Sequence, residues 1–271
     1  MASNSEGEPF KGAHHDLIKR GVKKPNLPGT IAFVGFRALD PLMQYGILAN
    51  GWGSSLVHKL GIETLPPGLA AHTGIRLIDG LGLSPYRLIL LGMATGTVIK
   101  QIFWLTVTSQ EEFPLASAIT VSTYNLLVNV INSLLFTTSI GSASLDSGAN
   151  FPQYPLLIGG ALYLVGISTE ALAEFQRAQF KKDPANKGKP CTTGLWSLVR
   201  HPNYGAYAVW RFGYALAAGG WIWASIMAGW QTYDFITRSV PALDEYCTYR
   251  YGDMWNDYKR KTTYKLFPYI Y

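Results

Sequence analysis

The chain has 271 residues, a formal net charge of +6 and only 15% charged residues. Ordinary soluble domains carry about 25% charged residues, whereas 48% of the residues here are apolar and eight are tryptophan. This composition argues against an ordinary soluble domain. The excess of basic residues does not by itself indicate a nucleic-acid partner, because it is confined to particular segments.

The apolar residues come in blocks that follow a polar start. Residues 1–28 lack an apolar core, so they are predicted to form a disordered tail without a cleaved signal peptide. Three blocks are each long enough, at about 1.5 Å per helical residue, to cross about 30 Å of hydrocarbon. The only charge inside the first block is Lys100, which is expected to extend toward the membrane surface. The blocks are residues 86–108, 114–140 and 154–173.

Two further segments are weaker candidates for spans. Residues 31–52 contain Arg37 and Asp40, which are expected to pair inside the bundle if this segment inserts. Residues 205–237 are long enough for a tight helical hairpin that breaks near Gly219-Gly220. The sequence thus predicts an all-α, multi-span transmembrane helical bundle of about six spans, within a range of about five to seven. A short extra span around residues 68–83 is the main uncertainty in this number.

The basic residues predict an orientation. Loop 176–203 and both tails are rich in Lys and Arg, whereas loop 141–153 contains neither. Basic segments stay on the cytosolic side, so both termini are predicted to be cytosolic, in the endoplasmic reticulum membrane if the source is eukaryotic. The single membrane domain, residues 29–271, is expected to consist of substrate-side spans (29–153) and a cofactor-binding half (154–271).

The basic loop ends where a helix is predicted to begin. Pro202 suits the first turn of a helix, which places His201 next to a helix N-terminus and beside Arg200. Free backbone N–H groups and a neighbouring cation make such a position an anion site. Arg177 and Lys181 are four residues apart and share one face of the preceding helix, so they are expected to converge on the same anion. The alternative is a solvated loop whose charges only fix the topology.

Polar groups flank this anion site. Asn203 and Tyr204 lie in the first turn of the predicted helix, although Tyr is also a common interfacial anchor. The aromatic tail that begins at Asp244 has two interpretations. Its acids pair with the basic loop, or the tail is an amphipathic helix on the membrane surface. Cys191 and Cys247 are expected to face the cytosol without a disulfide. No spacing of Cys and His residues predicts a metal site.

Three ordered stretches carry a family resemblance: FQRAQFKKDP, GLWSLVRHPNYG and DEYCTYRYGDMWNDYKRKTTYKLFPYIY. They resemble the C-terminal half of the sterol reductase and steroid 5α-reductase superfamily, together with the DUF1295-type reductase-like membrane proteins grouped with it. The resemblance covers residues 170–271. Isoprenylcysteine and phospholipid methyltransferases, which use S-adenosylmethionine, share the RHP-x-Y element.

The resemblance implies an NADPH-dependent oxidoreductase that reduces a C=C bond of a hydrophobic sterol, terpenoid or lipid-like substrate. A membrane methyltransferase acting on a lipid or prenylated substrate is the alternative, and a non-catalytic scaffold is a third. Membrane lipids are the other expected partners, with no nucleic acid and no obligate protein partner. The loop and the tail would form the cofactor cleft. The anion site and the resemblance together assign nine residues to the cofactor. They are Arg177, Lys181, Arg200, His201, Asn203, Tyr204, Asp244, Cys247 and Tyr258.

The chain departs from its relatives next to the RHPNY element. The relatives read HPNY-x-G-[DE], whereas here Gly205 stands one place earlier and Tyr207 replaces the acid. The resemblance places the reactive end of the cofactor at this point. The departure therefore affects which cofactor the protein is expected to bind and whether it is expected to be active.

A reduction also requires a proton donor, for which Tyr or Glu side chains are suited. Tyr124 is predicted to be that donor, with Glu170 either as its partner or as a contact of the cofactor. Glu170 and Glu174 share a face, and a plainer interpretation pairs them with Arg177 or Lys181.

Three asparagines interrupt the uncharged second block. Asn125, Asn129 and Asn132 are spaced by four and three residues, so they lie on one face of a helix. Hydrogen bonding between helices is the favoured explanation for them.

Overall fold

The computed structural model describes residues 16–22, 24–109, 111–141 and 154–271. The predicted all-α architecture is confirmed for these residues, whose β-type pairing is limited to two isolated bridges. Residues 1–15 of the predicted tail and most of loop 141–153 lie outside the described part. The helices are α1 (Leu27–Asn50), α2 (Ser54–Lys59), α3 (Arg76–Asp79), α4 (Pro85–Phe103), α5 (Leu115–Phe136), α6 (Tyr154–Lys182), α7 (Pro202–Asp234), α8 (Val240–Tyr251) and α9 (Asp253–Lys261).

Three helices of the described residues are long and apolar enough to cross a membrane. They are Pro85–Thr108, in which α4 continues through a π-helical turn, Leu115–Phe136 and Tyr154–Lys182. They match the three apolar blocks, and the protein is a membrane protein. Residues 68–83 contain only the four-residue α3 and form no span. Because α1 and α7 fall outside this group, the number of about six spans stays a prediction.

The long helix α7 is a helical hairpin, as the sequence predicted. Its helical course is interrupted at Gly220, which has φ 75° and ψ −169°. Before this point Arg211 donates to Asn125 of α5, and after it Gln231 accepts a hydrogen bond from Tyr124, the neighbouring residue on α5. The chain therefore runs away along α5 and returns beside it, and a residue at positive φ without a Cβ permits the reversal.

Helices α6 and α7 approach through glycines. A Cβ at Gly159 would lie 2.5 Å from the carbonyl oxygen of Gly213, and a Cβ at Gly166 would lie 2.5 Å from the backbone nitrogen of Trp210. Small residues allow such close backbone contact, which is a common way for membrane helices to associate. This close contact fixes the position of α7 along the axis of α6, and therefore relative to the carboxylates of Glu170 and Glu174.

A buried polar layer connects α1 with α5. Arg37 and Asp40 form the predicted ion pair at 2.8 Å, and both side chains are fully buried. Asn129 Nδ2 donates to Asp40 Oδ2 at 2.7 Å. Asn125 and Asn132 also bond to other helices and are buried with Asn129, which confirms the predicted shared face and its interhelical role.

The tail that follows α9 pairs with the start of α7. The backbone nitrogen of Arg200 donates to the carbonyl oxygen of Tyr264 at 2.9 Å. A Cβ at Gly205 would lie only 2.3 Å from the carbonyl oxygen of Leu266. Gly205 stands one place earlier than the glycine of the relatives, and a residue without a Cβ is required there because the tail crosses α7 at this point.

Residues 16–22 also pack against this end of the bundle. The backbone nitrogen of Lys19 donates to the carbonyl of Glu112 at 3.2 Å, and Glu112 N donates to the carbonyl of Val22 at 2.8 Å. The described N-terminal segment and the C-terminal tail therefore lie at the same end of the helices. The division into a tail of residues 1–28 and one membrane domain stays a prediction.

Candidate functional site

Two adjoining cavities open at the end of the bundle where the tails meet. The first, here called the basic cavity, has a volume of 1010 Å³ and lies between residues 177–201, helix α8, and residues 18–22 and 24. The second, here called the aromatic cavity, has a volume of 660 Å³ and lies among α4, α5, α6 and α7. Ile18, Arg20, Trp104 and Arg177 line both cavities, so a ligand that enters one can extend into the other.

The basic cavity has a strong excess of positive charge. Among the described residues only two carboxylates, Glu111 and Asp183, line it. The low-dielectric walls of a cleft focus the field of its charges, so this cavity attracts an anion. Its seven basic residues are Arg20, Lys24, Arg177, Lys181, Lys187, Arg200 and Arg250.

The two basic residues of α6 are held by aromatic partners. The Arg177 guanidinium lies over the ring of Trp196 at 5.5 Å. Lys181 Nζ donates to the phenol oxygen of Tyr251 at 2.8 Å and also lies over that ring. The predicted shared face is confirmed, because both side chains line the basic cavity. Neither cation has a carboxylate partner within 4.0 Å among the described residues, so their charge is available to a ligand.

His201 is the N-cap residue of α7 and also lines the basic cavity. The residue is only 1% exposed, and within the described part of the chain neither ring nitrogen has a hydrogen-bond partner. Burial, followed by the nearby charge of Arg200, lowers the pKa of His201 to about 3, so the imidazole is neutral. Arg200 Nη1 donates to the carbonyl of Thr262 at 2.8 Å, while its Nε is buried without a described partner.

Asn203 and Tyr204 follow His201 at the start of α7 and extend the site into the aromatic cavity. Both line the aromatic cavity. The Tyr204 ring stacks between His201, with centroids 5.6 Å apart, and Phe235, with centroids 4.9 Å apart. Asn203 Oδ1 is buried and has no partner among the described residues. The structure thus brings the loop cations, the helix start and this polar pair together, as the sequence predicted.

The three tail residues of the prediction occupy different positions. Cys247 lines the basic cavity as a free thiol, and burial raises its pKa to about 12. Asp244 instead accepts a hydrogen bond of 2.7 Å from Trp255 Nε1, and the Tyr258 phenol donates to the carbonyl of Trp196. Neither Asp244 nor Tyr258 lines either cavity. These two residues hold the tail in place, and their assignment to the cofactor stays a prediction.

A charged cluster lies on the wall of the aromatic cavity. Lys100 Nζ forms an ion pair with Glu170 and another, at 3.0 Å, with Glu174. The expectation that Lys100 extends to the membrane surface is wrong, because its side chain is 10% exposed and lies between these carboxylates. The alternative pairing of the glutamates with Arg177 or Lys181 is also corrected. An intramembrane charge is stabilised best by opposite charges at its own depth.

Two phenols of the aromatic cavity differ in their hydrogen bonding. Tyr124, the predicted proton donor, donates to Gln231 Oε1 at 3.3 Å. Tyr207, the residue that replaces the acid of the relatives, accepts a 3.0 Å hydrogen bond from Arg211 Nε. Both phenols and Glu170 line the same cavity, and the catalytic roles of Tyr124 and Glu170 stay a prediction.

Sequence reasoning missed several residues of the site. Lys100 pairs with Glu170 and Glu174 across two helices, and spacing along a single helix does not predict such a contact. An isolated charge in an apolar block was the available signal for Lys100. Arg20 lay in a segment predicted to be disordered, and nothing in its local sequence marks it as part of a cavity.

Known proteins match both halves of the chain. Residues 111–262 match the family described as a protein of unknown function, DUF1295. A protein named probable O-methyltransferase ustE, from Ustilaginoidea virens, is 41% identical over 237 residues, which are 87% of this chain and 84% of that protein. A Delta(14)-sterol reductase from Methylotuvimicrobium alcaliphilum is 26% identical over 143 residues, which cover 45% of this chain and 32% of the reductase.

Proposed function

Because the chain belongs to the DUF1295 family, we propose that it is a membrane oxidoreductase that reduces a C=C bond of a hydrophobic sterol, terpenoid or lipid-like substrate, with NADPH as the hydride donor. The charge of the basic cavity carries the proposal, since seven cations face two carboxylates there. A dinucleotide with several phosphate charges gains from such a field, whereas the sulfonium of S-adenosylmethionine is repelled by it.

The residues of the cavity fit a dinucleotide. Arg177, Lys181 and Arg200 would hold phosphate groups, because guanidinium and ammonium groups donate strong charge-assisted hydrogen bonds to them. His201 and Asn203 present buried polar atoms without described partners, which is a costly arrangement unless a ligand or water satisfies them. NADPH supplies the hydride when it is bound, and Asn203 and Tyr204 direct its reactive end toward the aromatic cavity.

The aromatic cavity is proposed to hold the substrate. Its volume of 660 Å³ and its lining by Phe33, Trp104 and Trp230 suit a hydrophobic molecule. Tyr124 Oη is proposed to deliver the proton, with Glu170 as its partner in the proton transfer.

A methyltransferase is the second candidate function. The relative named as a probable O-methyltransferase, 41% identical along most of its length, favours it. The carboxylates of Glu170 and Glu174 are placed to take a proton from a substrate hydroxyl, as O-methylation requires. The cationic basic cavity is the argument against this candidate.

The proposed setting is the endoplasmic reticulum membrane of a eukaryotic cell, with both termini in the cytosol, so that the basic cavity opens toward soluble cofactor. The three basic segments meet at one end of the bundle, which supports this orientation. The substrate and membrane lipids are the proposed partners, without nucleic acid or an obligate protein partner.

Thermal unfolding of the full chain in detergent tests the proposal. NADPH at a hundred times its Kd is expected to stabilise the protein by about 2.7 kcal/mol, and Arg177→Ala and Asn203→Ala are expected to reduce the effect. Lys59→Ala is the matched control, because Lys59 is exposed and lies outside both cavities. A shift with S-adenosylmethionine and none with NADPH would overturn the reductase in favour of the methyltransferase.

A further inference from the structure

Residues 16–22 cross the boundary between the two cavities. Ile18 and Arg20 line both cavities, whereas Asp16 lines only the aromatic cavity and Gly21 only the basic cavity. The Arg20 side chain is 9% exposed. Arg177 of α6 lines the same junction, so the N-terminal segment and α6 each contribute one guanidinium to it.

The backbone of this segment is fixed by the loop between α4 and α5. Gly21 N donates to Glu111 Oε1 at 2.9 Å, and the backbone bridge between Lys19 and Glu112 holds the preceding residue. On the other side, a Cβ at Gly21 would lie 3.1 Å from the Tyr246 hydroxyl of α8. Contacts on both sides define where Arg20 points, so its position at the junction is specific.

The hydrogen bonds of Arg20 leave part of the guanidinium unused. Nε donates to Asp16 Oδ2 at 2.7 Å, and Nη2 donates to the Tyr204 hydroxyl at 3.4 Å. Nη1 lies 3.7 Å from Glu111 Oε2 and has no hydrogen bond within the described residues. Since a guanidinium offers five N–H donors in a planar fork, the two protons of Nη1 remain available.

We propose that Arg20 is a cofactor-binding residue, and that with Arg177 it holds phosphate oxygens of the dinucleotide where the two cavities meet. The proposal rests on the reductase function proposed above. A phosphate at the junction would receive N–H groups from two elements, the N-terminal segment and α6. Through its bond to the Tyr204 hydroxyl, Arg20 also positions the ring that stacks on His201.

Asp16 and Glu111 then balance the charge of Arg20 when no ligand is bound. Without them, another uncompensated guanidinium would face the cations of the basic cavity. The bound phosphate competes with these carboxylates for the same guanidinium. A purely structural Arg20 and a cofactor-binding Arg20 therefore respond differently to removal of Glu111, which separates the two roles experimentally.

The test is isothermal titration of the purified full chain with NADPH, in detergent, with thermal unfolding recorded for each variant. Arg20→Ala is expected to raise the Kd about 10- to 100-fold, the range for a lost charge-assisted hydrogen bond. Arg20→Lys should recover part of the loss. Glu111→Gln is expected to lower the Kd by up to about fivefold, because it removes a competing partly exposed ion pair. Arg76→Ala, an exposed arginine outside both cavities, should leave the Kd unchanged.

The outcomes separate this inference from the proposed function. If the wild type binds NADPH and Arg20→Ala binds it equally well, the role of Arg20 is overturned while the reductase proposal stands. If Arg20→Ala and Glu111→Gln both weaken binding in parallel with lowered unfolding temperatures, Arg20 has only a structural role. If the wild type does not bind NADPH, both proposals fail. If Arg20→Ala does not fold, the Lys and Gln variants decide between these outcomes.

Discussion

Trp210 Nε1 donates a 2.6 Å hydrogen bond to Glu170 Oε2, and this contact ties α7 to the charged cluster between α4 and α6. The other oxygen of Glu170 is paired with Lys100. The carboxylate is thus held from two helices that are distant in sequence. Such fixed orientation is what a group needs to act on a substrate in the neighbouring cavity.

Lys100 is expected to be critical for stability. Lys100→Met leaves the two buried carboxylates Glu170 and Glu174 without a cation, and breaking a buried pair in this way costs about 3–5 kcal/mol. Thermal unfolding in detergent measures the loss. The triple variant Lys100→Met, Glu170→Gln, Glu174→Gln should regain most of the stability, because no unpaired charge is left. A triple variant as unstable as Lys100→Met would show that packing by the lysine stem is the main contribution.

Glu170 is expected to matter for turnover more than for cofactor binding. Glu170→Gln keeps the shape and the hydrogen bond from Trp210 but removes the charge, so turnover should fall about 10²- to 10⁴-fold if the group assists proton transfer. Oxidation of NADPH at 340 nm with a lipid extract as substrate source measures it, and titration with NADPH is the control. Unchanged turnover would remove Glu170 from the catalytic proposal.

The glycine contact between α6 and α7 is expected to tolerate no added methyl group. Gly213→Ala would place a Cβ 2.5 Å from the backbone nitrogen of Tyr163, and overpacking of this kind costs about 1–3 kcal/mol. Gly92→Ala in α4 is the matched control, because its Cβ would meet nothing within 4 Å. The control should be neutral or stabilising, since Ala is the better helix former. Equal unfolding temperatures for the two variants would contradict the close packing.

His201 is expected to make the protein less stable in acid. Its pKa is about 3 in the folded state, below the ordinary value of 6.5 for histidine, so below about pH 6.5 the unfolded state binds a proton that the folded state does not. The contribution is fully present above about pH 6.5 and is lost as the pH falls toward about 3. Between pH 7.5 and 5 the loss is about 2 kcal/mol.

The measurement for this prediction is thermal unfolding at both pH values. His201→Asn should show a smaller drop than the wild type, because Asn does not titrate. His72→Asn, which replaces an exposed histidine, should behave as the wild type does. If His201→Asn and the wild type lose the same stability, protonation of His201 is not the cause.

Local patterns predicted the parts of the fold that depend on neighbouring residues. The three apolar blocks, the Arg37–Asp40 pair, the face shared by the asparagines and the break at Gly220 all follow from spacing along one helix or from one glycine. The start of α7 beside the basic loop was also predictable, because Pro202 and the loop are adjacent in sequence. The assignment of Asp244 depended on a loose register, and the structure places this residue against Trp255.

By itself, the sequence determined that the chain forms an apolar helical membrane protein with a basic loop before a proline-started helix. Hydropathy and charge patterns are properties of short continuous stretches of the chain, so a single sequence is enough to reveal them. Only the tertiary structure decided that Lys100 lies between Glu170 and Glu174, and that Arg20 enters the junction of the cavities. Those contacts join residues 70 to 184 positions apart, and their geometry depends on backbone packing such as that of Gly166 against Trp210. No local pattern carries that information.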